Sequence, residues 1–141
     1  ELGVDVVQGG PEASTKVDEL IWGKLALAAM SPVSAVPRVT VGAVWRSPEG
    51  RALVERMFDE VVAVAAAEGV HLDRAAAWAH AVKTYAGTGD HYTSMCTDVR
   101  LGRRTELADM AGAVRRLGEQ HGVPVPAHAA VLDLLALSGV R

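Results

Sequence analysis

Residues 47–69 are the most sharply punctuated stretch of the chain. Ser47 can accept a hydrogen bond from an amide of a first helical turn, and Pro48 has the fixed φ and missing N–H that suit the first helical position. Gly69 supplies a C-terminal stop. Between them Leu53, Met57, Val61, Val64 and Ala65 recur at three- and four-residue steps, while Arg51, Glu55 and Asp59 take the other side. The spacing predicts a helix from Pro48 to about Glu68 with one apolar stripe to cover.

The rest of the chain reads in the same period. A helix is expected over about Thr15 to Met30, capped by Ser14 or Thr15, with Val17, Leu20, Ile21, Lys24, Leu25 and Ala28 on its inward side and Pro32 as its stop. Residues 38–46 read as a loop or short helical turn, because no partner strand is evident elsewhere. Asp73 can cap a helix to about Tyr85, closed by Gly87 and Gly89, and a short helix spans Tyr92 to Leu101 with Asp90 or His91 at its entry. Thr105 is placed to cap a helix reaching about Gln120, and the last helix runs from Pro126 to Leu137 with Ala130, Leu134 and Leu137 inward. These readings give about six helices in an all-α, compact multi-helix bundle. Residues 1–14, where Val4, Val6 and Val7 precede Gly9, Gly10 and Pro11, read as a linker, a remnant of an upstream domain, or an ordinary flexible start. Residues 15–141 form the helical domain.

Composition narrows the function classes. The length, 141 residues, suits one domain, and a hydrophobic fraction of 50% supports a core. A net charge of −3 does not favour a nucleic-acid partner. The basic run Arg100, Arg103 and Arg104, followed by Arg115 and Arg116, is short and broken by acids, so it reads as solvated surface. Cys96 is the single cysteine and reads as a small buried hydrophobe, which suits the cytoplasm. No apolar run approaches the roughly 20 residues of a bilayer span, and no signal peptide is visible, so no membrane partner is expected. The histidines form no HxxxH or HExxH pattern, so no metal is expected. No GxGxxG or GxxxxGK[ST] occurs, so no cofactor-binding residue is assigned in this chain.

Three positions carry possible chemistry. Lys24 rises from an apolar setting, either to snorkel to water or to act as an ammonium at the floor of a cleft. Ser94 and Asp98 stand four apart around a helix start, where capping competes with a role for Ser94 as donor to a small polar substrate and for Asp98 in ordering a loop or a basic side chain. Glu106, beside Thr105, either favours a helix amino terminus or accepts from a substrate hydroxyl.

The order of these blocks resembles a known family. Leu20-Ile21-Trp22-Gly23-Lys24-Leu25 is similar to a W-x-K-L helix, and Arg56 through Glu60 with the following VVAVAAAEGV of residues 61–70 is similar to an E-x-x-x-V-A-x-x-x-G-V helix. Thr93 through Leu107 resembles a T-S-M-x-x-D-x-x-x-G-R-x-T-E-[ILV] run, and His121 through Pro126 an H-G-[IV]-x-x-P corner. These are blocks of the ketopantoate reductases (2-dehydropantoate 2-reductases, ApbA/PanE), specifically of their C-terminal domain, whose fold is like the C-terminal domain of 6-phosphogluconate dehydrogenase. The resemblance implies an oxidoreductase of pantothenate biosynthesis in which an N-terminal Rossmann domain binds NADPH and the helical domain closes over the substrate and often dimerises. It implies Lys24 as general acid toward the developing alkoxide, Ser94 near the substrate carboxylate and Glu106 on its primary hydroxyl, with Asp98 and Thr105 in supporting roles. The implied partners are a small 2-oxo or hydroxy acid and a Rossmann domain in cis or in trans, with a possible homodimer.

Two departures stand out. Ala28 and Ser31 occupy places where the family often has asparagine, which leaves room for another 2-oxo acid or for lost activity. The cofactor half is not in this sequence, so a domain of a longer reductase, a half that assembles with a separate Rossmann chain, and a free-standing module are all open. The free-standing versions are a small-acid binding or non-redox catalytic module, or a structural dimerisation module.

Overall fold

The computed structural model describes residues 11–141, with side chains from Lys16 onward. The stretch containing Val4, Val6 and Val7 lies outside the described residues. Among those described there are eight helices and no strand: α1 (Pro11–Leu27), α2 (Met30–Ala35), α3 (Val41–Arg46), α4 (Pro48–Ala67), α5 (Arg74–Thr88), α6 (Ser94–Arg100), α7 (Ala111–His121) and α8 (Pro126–Leu137).

The punctuation around α4 acts as the sequence predicts. Ser47 Oγ accepts from Gly50 N at 3.1 Å, and Val70 N closes the far end on Ala65 O at 2.8 Å. Helix α4 is the axis of the bundle and packs against α1, α2, α3, α5, α7 and α8. Its stripe, Val54, Met57, Phe58, Val61, Val64 and Ala65, is buried almost completely. At about 1.5–3 kcal/mol for each large apolar side chain removed from water, this stripe is a principal source of the fold's cohesion.

The first helix differs from expectation twice. It is already helical at Pro11, ahead of the expected cap on Ser14 or Thr15. Its break comes at residues 28–29, ahead of Pro32. Pro32 lacks the N–H that would bond the carbonyl of Ala28, and its ring crowds that carbonyl. Ser31 N takes the Ala28 oxygen instead, at 3.0 Å, and α2 starts at Met30. Residues 38–46 then take the helical alternative. Thr40 Oγ1 caps α3 by accepting from Ala43 N, and Arg38 makes the preceding turn at φ 61°.

Two expected helical faces are corrected. Val17, Leu20 and Ile21 are 53%, 66% and 58% exposed, and Lys24 is exposed too; Ala26 and Ala29 are buried. In α8 the buried side is Ala127, His128, Val131 and Leu135, while Leu134 and Leu137 point to solvent. In both helices apolar residues lie on more than one face, so periodicity alone does not choose the side.

Helix α5 continues through Gly87 and stops at Gly89, whose φ of 68° and ψ of −145° suit a residue without Cβ. Thr93, not Asp90 or His91, caps α6. The helix expected from Thr105 does not start there. Residues 106–110 make a bend and turn in which Asp109 N and Met110 N both bond Glu106 O, and α7 starts only at Ala111.

Candidate functional site

Lys24 lies in the last turn of α1, with its side chain in solvent and no acceptor among the described residues. The end of this helix is held from beneath by Tyr85 of α5, whose hydroxyl donates to Leu27 O at 2.5 Å. Burial raises the Tyr85 pKa well above that of an ordinary phenol, so it stays a donor.

Ser94 is the first residue of α6 and is also exposed. Its neighbour Thr93 fixes it in place. Thr93 Oγ1 accepts from Cys96 N at 3.1 Å and lies 3.2 Å from the hydroxyl of Ser34, which is fully buried in α2. Cys96, next on this face, is buried against Ser34 O and Val39 O, and burial pushes its thiol up, away from the reactive thiolate.

Glu106 is exposed in the bend before α7 and has no partner for its carboxylate among the described residues. It is not the first residue of a helix. Thr105 has a different task from helix capping: its N–H and Oγ1 both donate to Arg141 O at 2.8 Å, while Oγ1 accepts from Leu107 N. Asp98 lies 3.7 Å from Arg103 Nη1, and its carbonyl accepts from Arg103 N.

The segments bearing Lys24, Ser94 and Glu106 are neighbours. Leu25 of α1, Ala28 in the break after it, Met95 of α6 and Met110 at the end of the 106–110 turn line one small hollow of about 10 Å³. That is at the lower limit for one water. Ala28 lies on this hollow, and its methyl group offers no hydrogen-bonding atom there.

His128 closes the hollow from α8, and sequence reasoning missed it together with its partner. Its side chain is 2% exposed. Glu60 of α4 reaches it from 68 residues away in sequence: Glu60 Oε1 accepts from His128 Nδ1 at 2.7 Å and from His128 N at 2.9 Å, and Oε2 accepts from Ala127 N at 2.8 Å. One carboxylate thus caps the amino terminus of α8, where Val125 offers no side-chain oxygen. Burial lowers the His128 pKa, with the Glu60 carboxylate opposing, and the ring is neutral with its proton on the nitrogen facing Glu60. The available signal was a proline-started helix with no capping residue before it.

Among the described residues no three His, Cys, Asp or Glu side chains gather to hold a metal, and no helix is long and apolar enough to cross a membrane. The described residues also lack the strand and glycine-rich turn that would cradle a dinucleotide, so they do not fit that group.

The described residues thus form an all-helical bundle with an exposed lysine, hydroxyl and carboxylate on segments whose neighbours line one hollow. Residues 16–138 match the family described as ketopantoate reductase PanE/ApbA C terminal, and the chain belongs to it. The 2-dehydropantoate 2-reductase of Vibrio cholerae is 32% identical over 117 residues, which are 82% of this chain and 39% of that protein. D-mandelate dehydrogenase, solved in complex with NADH, superposes with a TM-score of 0.79 at 25% identity over 85% of this chain and 42% of its own. The dimeric ketopantoate reductase of Staphylococcus aureus gives a TM-score of 0.80 over 95% of this chain and 45% of its own; at 24% identity this likeness supports the fold alone. The chain therefore spans about two fifths of the length of the relatives it matches.

Proposed function

We propose that this chain is the substrate-side domain of an NAD(P)H-dependent 2-oxo acid reductase, working in the cytoplasm with a Rossmann domain joined to it through residues 1–14 or supplied in trans. What supports the reading is the hollow lined by Leu25, Met95 and Met110, which are one to four residues along the chain from Lys24, Ser94 and Glu106, all three of them exposed and without a partner among the described residues. In this reading Lys24 Nζ gives a proton to the ketone oxygen as negative charge develops there, Ser94 donates to the substrate carboxylate, and Glu106 accepts from a substrate hydroxyl. Reduced nicotinamide, held by the other domain, supplies the hydride.

Ala28, which lacks the hydrogen bonds an amide would offer, and the likeness to D-mandelate dehydrogenase support a substrate class wider than ketopantoate. The test joins this domain to a cofactor-binding domain of the family and follows NADPH and NADH oxidation with ketopantoate and with phenylglyoxylate. Turnover that drops by about 10²–10⁴ in Lys24→Ala, with folding intact, is the expected result. A folded two-domain protein that turns over neither acid would overturn the reading.

A self-association role is a second reading, favoured by Leu134 and Leu137, which are 48% and 85% exposed. A protein that sediments as a monomer at micromolar concentrations removes it.

A further inference from the structure

Most arginines of the bundle are engaged. Arg46 pairs with Asp90, Arg74 with Asp59 and Glu55, and Arg115 with Asp133. Arg51 lies over Trp45 and Arg100 over Tyr92, and Arg116 donates to Ala108 O. Among the described residues Arg56, Arg104 and Arg141 have no acceptor or ring partner. Two of these three line the same cleft.

That cleft, of about 300 Å³, lies between the loop after α6 and the tail after α8, and Arg103, Arg104 and Arg141 all line it. Its walls are fastened. Thr105 donates twice to Arg141 O, Val140 N bonds Leu135 O at 3.0 Å, and Arg103 N bonds Asp98 O at 2.8 Å. The nearest carboxylate paired with any of the three guanidinium groups is Asp98, at 3.7 Å from Arg103. Arg104 and Arg141 thus bring two unpartnered guanidinium groups to one cleft, beside Arg103 and its Asp98 counter-charge. Guanidinium groups present paired N–H donors that match the oxygens of phosphate.

We propose that this cleft binds a small multivalent oxyanion of the phosphate or pyrophosphate class, with Arg104 and Arg141 as its principal ligands and Arg103 shared with Asp98. The chain's overall negative charge and the confinement of the arginines to one cleft favour a small anion over a polyanionic chain. The site is independent of the reductase reading and uses none of Lys24, Ser94 or Glu106. Its ligand is a free metabolite or the phosphates of a dinucleotide.

Titration calorimetry with inorganic pyrophosphate at low ionic strength tests it. One saturable site is expected, weakened by added sodium chloride. The affinity should fall at least tenfold in R104A/R141A and stay unchanged in R56A, with all variants showing the same thermal unfolding. Displacement of pyrophosphate by NADPH would identify the cofactor as the phosphate source, and displacement only by free phosphate would identify a metabolite; both outcomes keep the site. Absence of saturable heat, or equal affinity in R104A/R141A, overturns it.

Discussion

Replacing Glu60 with alanine should destabilise the bundle more than any surface change and leave Lys24, Ser94 and Glu106 untouched. Three donors end on this carboxylate within 2.9 Å: two amides of the first turn of α8 and the imidazole of His128. The carboxylate is only 11% exposed and the imidazole 2%, so water cannot easily replace the lost acceptor. A hydrogen bond to a charged group is worth about 1.5–3 kcal/mol, and leaving a buried donor without a partner costs about 1–3 kcal/mol. The three bonds share one acceptor and do not add, so about 3–5 kcal/mol is expected in all. Against about 5–15 kcal/mol for a whole domain this is a large fraction. Denaturant unfolding followed by far-ultraviolet circular dichroism gives the loss from the midpoint at unchanged slope. Glu60→Gln keeps one acceptor oxygen and should lose roughly half as much, which retains a measurable protein should Glu60→Ala fail to fold. A loss under about 1 kcal/mol in Glu60→Ala would show that α8 does not depend on this cap.

The same pair makes stability depend on pH. The folded pKa of His128 is depressed, so its stabilising contribution is present in full above the unfolded value of about 6.5 and is lost as pH falls below that value toward the folded one, where only the unfolded chain binds the proton. Unfolding free energies between pH 7.5 and 5 should therefore decline more steeply in the wild type than in His128→Asn; parallel curves would refute the assignment. Gly50→Ala should cost about 1–3 kcal/mol, because a Cβ there would press on the carbonyl oxygen of Val44 where α3 crosses the start of α4. Thermal unfolding checks this, and an unchanged midpoint would mean that α3 can move aside.

Local chemistry made much of the architecture legible. Ser47, Asp73 and Gly122 mark helix ends in the sequence and do so in the structure, because a cap is an interaction among residues a few positions apart. The all-α class followed from the same periodicity, and the family from blocks such as Thr93–Leu107. Tertiary structure decided which side of α1 and α8 turns inward, since each helix carries apolar residues on two faces and only its neighbours select one. It also decided that Thr105 fastens the C-terminal tail instead of opening a helix, that Glu60 caps a helix far along the chain, and that Arg104 and Arg141 share a cleft. Each of these joins groups distant in sequence, and their meeting is set by the packing of α4 against its surroundings, which no local spacing encodes.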